Sequence, residues 1–148
     1  MNPNIGRDSI PEGEPWPLTA RVPGLDGAAL QRADVTSWSL KVFLRHSNDL
    51  SNLTTELFEL TGTGTSTNFN SQNVWEDTLQ TDGLWGGLDK EGYNFRRIIT
   101  DTELLAPTSP LPEIEGGNHY WVELRVVTTN DGIRKARWLV EVENWYGE

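Results

Sequence analysis

Polar and apolar residues alternate most regularly near the C-terminal end of the chain, over residues 119–128 and 133–143. A period of two residues is that of a β-strand with one buried face. Asn130-Asp-Gly132 between the two stretches is a strong signal for a tight hairpin turn. The sequence therefore predicts a hairpin that buries one row of side chains from each strand: Tyr120, Val122, Leu124, Val126, Ala136, Trp138, Val140 and Val142.

The same alternation predicts strands earlier in the chain, at 16–22, 35–45, 54–60 and 74–80. The pattern at 54–60 is also compatible with a short helix. Phe43 interrupts the polar face of its strand, as either a core residue or an exposed contact. Residues 62–72 are mainly Gly, Thr, Ser and Asn, so we expect a loop. Phe69 within it is a candidate partner contact or part of a mobile tip.

The glycine-rich stretch at 82–95 ends in aromatic residues at strand spacing. Asp89 and Gly92 predict a tight turn, because Asp forms local hydrogen bonds and Gly tolerates a positive φ. Tyr93 and Phe95 then follow as core residues of a strand. In immunoglobulin-like sandwiches a tyrosine near the start of a late strand anchors the corner between the two sheets. Asp89, Gly92 and Tyr93 therefore predict such a corner or, as the alternative, an ordinary hairpin turn.

Residues 1–15 carry prolines without apolar periodicity and predict an extended N-terminal arm. We expect this arm to order on a neighbouring subunit, the alternative being a frayed terminus. Residues 101–117 contain Pro107, Pro110 and Pro112. A single helical turn near residue 101, with Asp101 as a candidate cap, is the most helix expected there.

Short strands separated by turn signals, without a long helix, predict an all-β fold. We expect residues 16–148 to form one antiparallel β-sandwich, with immunoglobulin-like or jelly-roll topology. A chain of 148 residues is long enough to bury a core without disulfides, and it contains no cysteine.

The formal net charge of -10 disfavours direct binding to nucleic acid or to an anionic membrane surface. No stretch is apolar for long enough to span a bilayer. The partners expected are therefore proteins or neutral molecules. The chain contains 7 tryptophans, and this residue is favoured in β-cores, at interfaces and on sugar-binding faces.

The sequence contains little that indicates a catalytic site. The two histidines, His46 and His119, are far apart in sequence and show no metal-binding spacing. No nucleophile motif occurs, and neighbouring carboxylates such as Glu76 and Asp77 are typical of solvated turn charges. We therefore expect no enzyme activity, no cofactor and no metal site.

Four segments together resemble small β-sandwich structural proteins of tailed bacteriophages: Pro17-Leu-Thr-Ala-Arg-Val22 with Asp26-Gly27, Ala33-Asp-Val-Thr-Ser-Trp-Ser-Leu-Lys-Val42, Asp77-Thr-Leu-Gln-Thr-Asp-Gly-Leu-Trp85 and Asp89-Lys-Glu-Gly-Tyr-Asn-Phe95. The resemblance covers about residues 16–142. The functional relatives in this family are capsid decoration (cement) proteins and immunoglobulin-like proteins of the neck and baseplate.

The resemblance implies a non-enzymatic part of the virion that binds other virion proteins and forms a homo-oligomer in the particle. The first expectation is a decoration protein that stabilises the major capsid shell, and the alternative is a neck, tail or baseplate component. Phe69, Trp85 and Trp121 are the expected partner-binding anchors. A carbohydrate-binding module, with Trp85 or Trp121 stacked on sugar rings, is a second class that the sequence leaves open.

Overall fold

The computed structural model describes residues 5–11, 14–44, 56–82, 92–104, 119–130 and 132–143. Strands dominate these ranges, as the alternation predicts. A 3-10 turn at Arg32–Asp34 and a short helix, α1, at Asp101–Leu104 complete the secondary structure there. The strands are β1 (Ile5–Pro11), β2 (Trp16–Ala20), β3 (Val35–Leu44), β4 (Glu56–Gly62), β5 (Trp75–Gln80), β6 (Tyr93–Ile99), β7 (His119–Thr128) and β8 (Ile133–Glu143).

The strands form a β-sandwich of two sheets, a five-stranded sheet in the order β1-β8-β7-β3-β4 and a three-stranded sheet in the order β2-β6-β5. Neighbouring strands are antiparallel, except that β1 is parallel to β8. The chain changes sheet four times among these strands: between β1 and β2, between β2 and β3, between β4 and β5, and between β6 and β7. In the letters used for immunoglobulin strands, β8-β7-β3-β4 correspond to G-F-C-C′ and β2-β6-β5 correspond to B-E-D. Two such sheets facing each other are the immunoglobulin-like arrangement. The topology therefore favours that alternative over the jelly-roll.

Aromatic side chains fill the space between the sheets. The ring of Phe95 on β6 lies 6.0 Å from the ring of Trp38 and 6.1 Å from that of Trp138, both on the five-stranded sheet. Trp16 on β2 lies 5.7 Å from Tyr120 on β7. Such contacts add to the hydrophobic stabilisation of a core. The even-numbered residues predicted to line the C-terminal hairpin are all buried, which confirms its register.

Residues 5–11 are extended, as expected, but they belong to the chain's own domain. β1 runs beside β8 from Ile5 opposite Arg137 to Pro11 opposite Glu143, and Ile10 joins the core. This contradicts the expectation that the arm orders on a neighbouring subunit. A sheet edge offers backbone hydrogen bonds even to a segment with little apolar periodicity, and that possibility was missed.

The stretch after β5 joins two strands of the same sheet, because β5 and β6 pair with Gln80 opposite Tyr93. The prediction of a cross-sheet corner at Asp89, Gly92 and Tyr93 is therefore wrong, and the connection is that of a hairpin. Asp89 itself lies outside the described residues. Tyr120, fully buried at the start of β7, is the tyrosine that follows a crossing between sheets.

The predicted helical turn is present as α1, and Thr100 caps it. The Glu103 amide donates to Thr100 Oγ1 at 3.2 Å, and the Thr100 amide donates to Glu103 Oε1 at 3.0 Å. This reciprocal pair is a capping box, and the sequence Thr-x-x-Glu was its signal. Burial alone would raise the pKa of Glu103, but hydrogen bonds from Arg97 and Thr100 outweigh burial and hold its pKa below the ordinary value.

Candidate functional site

Of the two predicted anchors within the described residues, Phe69 has the largely exposed side chain, at 71%. Its loop is fixed beside β6 by the preceding residue, because Asn68 donates to the Arg96 carbonyl at 3.0 Å and accepts from the Ile98 amide at 2.9 Å. The Asn68 side chain thus substitutes for a neighbouring strand along this part of β6. Phe69 projects from an anchored loop and is available for contact with a partner.

Trp121, another predicted anchor, is in contrast buried at 6% exposure, so its side chain does not face solvent. It packs with Phe43 and Leu139 in a small cluster on the outer face of the five-stranded sheet, which we term the apolar row. The three residues lie opposite one another on β3, β7 and β8. Phe43 sits at a register shift between β3 and β4, which accounts for its position on an otherwise polar face.

Trp85, the third predicted anchor, lies outside the described residues. Phe69 and Trp121 are not brought together, because the first lies beside the three-stranded sheet and the second on the outer face of the other sheet. Four of the other tryptophans pack in the central core: Trp16, Trp38, Trp75 and Trp138. The high tryptophan content is therefore largely explained by the core.

Gly92 and Tyr93 lie at the start of β6, where they contact neighbouring strands of the same sheet. Gly92 has a φ of 84°, and a Cβ there would lie 2.5 Å from the Gln80 carbonyl oxygen. The guanidinium of Arg21 donates to the Gly92 carbonyl at 2.9 Å and stands 5.9 Å from the centre of the Tyr93 ring. These contacts fasten the end of β2 to the start of β6.

A second row of residues crosses the outer face of the five-stranded sheet next to the apolar row. Lys41 lies between Glu59 and Glu123, and Glu123 lies opposite Arg137. Lys41 pairs with Glu56 at 3.3 Å and with Glu59 at 3.8 Å, and Arg137 pairs with Glu123 at 2.9 Å. In this row, which we term the paired row, each basic group has a carboxylate partner.

The next row along the same face is different. It runs from Thr61 on β4 through Ser39 on β3 and Arg125 on β7 to Lys135 on β8. Arg125 and Lys135 are exposed and form no ion pair with a carboxylate of the described residues. We term this the cation row. An arginine and a lysine side by side without a carboxylate partner among the described residues are unexpected in a chain with a net charge of -10.

An open groove of about 500 Å³ lies over part of the cation row. Hydroxyl groups and Arg125 dominate its lining, and Glu59 of the paired row borders it. Sequence reasoning missed this site, although Arg125 and Lys135 stand at outward positions of the predicted hairpin. The lining includes Ser37, Ser39, Thr61, Thr63, Arg125 and Val127.

Groups that could support catalysis are scattered within the part of the chain that the structure describes. No cluster of three or more His, Cys, Asp or Glu side chains there is arranged to hold a metal ion. His119 stands on the outer sheet face, with Nε2 3.6 Å from Glu141 Oε1. His46 lies outside the described residues. The outer face is the best-defined candidate site in the described residues, and it offers charged, hydroxyl and apolar side chains for contact.

Comparison with protein-family models, curated proteins and solved structures finds no match for this chain. In the described ranges, no helix has the length and apolar character needed to cross a bilayer.

Proposed function

We propose that this chain is a non-enzymatic structural protein of a tailed-phage particle, and specifically a capsid decoration protein that binds and stabilises the major capsid shell. The observation that carries the proposal is the outer face of the five-stranded sheet, where an apolar row, a paired row and a cation row lie next to one another. A mixture of polar, charged and apolar groups is typical of protein interfaces. The assignment to a virion comes from the resemblance of the sequence segments.

The electrostatics of the domain support a protein partner. The net charge of -10 repels the phosphate backbone of packaged nucleic acid, so a position on the outside of the shell fits better than one inside it. A neck, tail or baseplate position is the alternative within the same class, since it would use the same sheet face. We expect copies of the chain to assemble as a homo-oligomer in the particle.

A carbohydrate-binding module is less well supported. Of the two tryptophans expected to stack on a sugar, Trp121 is buried in the apolar row and Trp85 lies outside the described residues. Trp38 lines the groove but is only 3% exposed. The groove therefore offers hydroxyl and charged groups in place of a stacking surface.

Two measurements test the proposal. Mass spectrometry of purified phage particles, assembled from the genome that encodes this chain, should find the protein in a fixed ratio to the major capsid protein. Phe69→Ala should then lower its occupancy on particles by a factor that corresponds to about 1–3 kcal/mol for a lost interface anchor. Leu25→Ala is the matched control, because Leu25 is equally exposed, at 72%, in the loop between β2 and β3.

Absence of the protein from purified particles would contradict the proposal. Equal loss of occupancy in Phe69→Ala and Leu25→Ala would contradict the role of Phe69 as an anchor, but would leave the virion assignment in place. Saturable binding on a glycan array, together with absence from particles, would favour the carbohydrate-binding alternative.

A further inference from the structure

The difference between two neighbouring rows of the outer sheet face carries a further inference. In the paired row, Glu59 and Glu123 satisfy Lys41 and Arg137 within the domain itself. Two residue pairs further along the same strands, on the same face, Arg125 and Lys135 stand opposite each other without a carboxylate partner in the described residues. The Cβ atoms of residues directly opposite on antiparallel strands lie about 5 Å apart, and like charges in such positions are unfavourable, so an anion that joins the two cations would stabilise the pair.

The groove beside Arg125 offers further contacts for a carboxylate, and Glu59, the carboxylate that borders it, is paired with Lys41. Ser39 lies opposite Arg125 on β3 and Thr61 lies opposite Ser39 on β4, which brings two hydroxyl donors close to the guanidinium. A guanidinium binds a carboxylate through two parallel hydrogen bonds, and hydroxyl groups can complete the coordination of its oxygens. Val127, half-buried on the same side of the groove, offers an apolar contact for the stem of an acidic side chain.

We propose that the cation row binds the carboxylate side chains of an acidic, extended peptide segment of a partner protein. The inference rests on the proposed function, for which it names the chemistry of the partner. Charge complementarity identifies the occupant, because the row supplies two cations without a carboxylate partner among the described residues, and the described part of the groove supplies no exposed aromatic ring for a sugar. An extended segment laid across β7 and β8 brings alternate side chains to the sheet face.

The test uses the full-length protein and a fluorescein-labelled peptide in which glutamate and serine alternate. Fluorescence anisotropy at low ionic strength should show saturable binding that weakens as salt is added, because exposed charges are screened. Arg125→Gln should weaken binding roughly ten-fold, since it removes a bidentate charged contact. Lys135→Gln should weaken it about two- to five-fold, the range expected for one exposed ion pair.

Lys41→Gln is the matched control. It removes one positive charge from the same sheet face, but Lys41 already pairs with Glu56 and Glu59, so binding of the peptide should change less than two-fold or so. A second control peptide carries glutamine in place of glutamate and should not bind measurably. Circular dichroism and thermal unfolding should show that all three variants keep the fold, because the substituted side chains lie at the surface.

Several results would overturn the inference. Equal weakening by Arg125→Gln and Lys41→Gln would show a general charge effect without a site. Binding of an oligogalacturonate but not of the glutamate peptide would show a carbohydrate ligand. Self-association in analytical ultracentrifugation that Arg125→Gln abolishes, without peptide binding, would show that a second copy of the chain occupies the groove. None of these results depends on the presence of the protein in particles, so the proposed function is tested separately.

Discussion

Asn94 holds together the loop between β2 and β3, and replacing it should destabilise the domain. Its side chain is fully buried, accepts from the Val22 amide at 2.8 Å, and donates to the carbonyls of Val22 at 2.9 Å and Leu30 at 3.3 Å. In Asn94→Ala the Val22 carbonyl keeps the Leu30 amide as a donor, at 3.0 Å. The Val22 amide loses the Asn94 oxygen, and a buried amide without an acceptor is costly.

We therefore expect Asn94→Ala to lower the free energy of unfolding by about 2–4 kcal/mol, from one orphaned amide, two lost acceptor contacts and a small cavity. For a domain of this size the midpoint of thermal unfolding should fall by roughly 4–16 °C. Urea unfolding monitored by tryptophan fluorescence measures the change directly. Asn70→Ala, in an exposed loop, is the control and should cost less than about 1 kcal/mol.

Asn94→Asp sharpens the test. A carboxylate there can accept from the Val22 amide, but it would face the carbonyl oxygens of Val22 and Leu30. Burial and these oxygens should raise the pKa of the new carboxyl in the folded state above its unfolded value, so the folded state binds the proton more tightly. The variant should therefore gain stability as pH falls through the folded pKa, relative to the wild type. A cost below about 0.5 kcal/mol for Asn94→Ala would refute the reasoning.

Three further changes have expected outcomes. Gly64→Ala should lower stability by about 1–3 kcal/mol in urea unfolding, because its Cβ would lie 2.0 Å from the backbone oxygen of Arg32. Glu103→Gln should make stability fall less steeply at low pH than it does in the wild type. Because the pKa of Glu103 is lowered by folding, its contribution to stability is present above the unfolded pKa and is lost as pH falls through the folded pKa. Unfolding curves from pH 7 to 2.5 measure the difference. Deleting residues 1–11 should lower the unfolding midpoint without abolishing cooperative unfolding, because β1 is an edge strand with Ile10 in the core; an unchanged midpoint would contradict the pairing with β8.

Hydrophobic alternation was sufficient to predict the sandwich, since one face of β3, β7 and β8 is continuously apolar and buried. The strand order was not predictable in the same way, because it depends on which edges meet after the chain crosses between sheets. Tyr93 illustrates the difficulty: its aromatic spacing identified a strand, but only the pairing of β5 with β6 shows that no crossing precedes it.

The candidate site was missed for a related reason. Arg125 and Lys135 are ten residues apart in sequence and look like ordinary outward charges of a hairpin. Their significance depends on the register across β3, β7 and β8. Within the part of the chain that the structure describes, this register gives Lys41 and Arg137 carboxylate partners but gives none to Arg125 and Lys135. Register is a tertiary property, and composition alone indicated only an acidic protein.

The parallel pairing of β1 with β8 also determines how the domain responds to a pulling force. If tension is applied through the residues before Ile5 and after Glu143, the two strands are drawn in opposite directions along their shared axis. The backbone contacts that pair Ile5–Pro11 of β1 with Arg137–Glu143 of β8 are then all loaded in shear at the same time. An antiparallel pair held at one end would open contact by contact. Under such tension we therefore expect the domain to behave as a stiff link along its length.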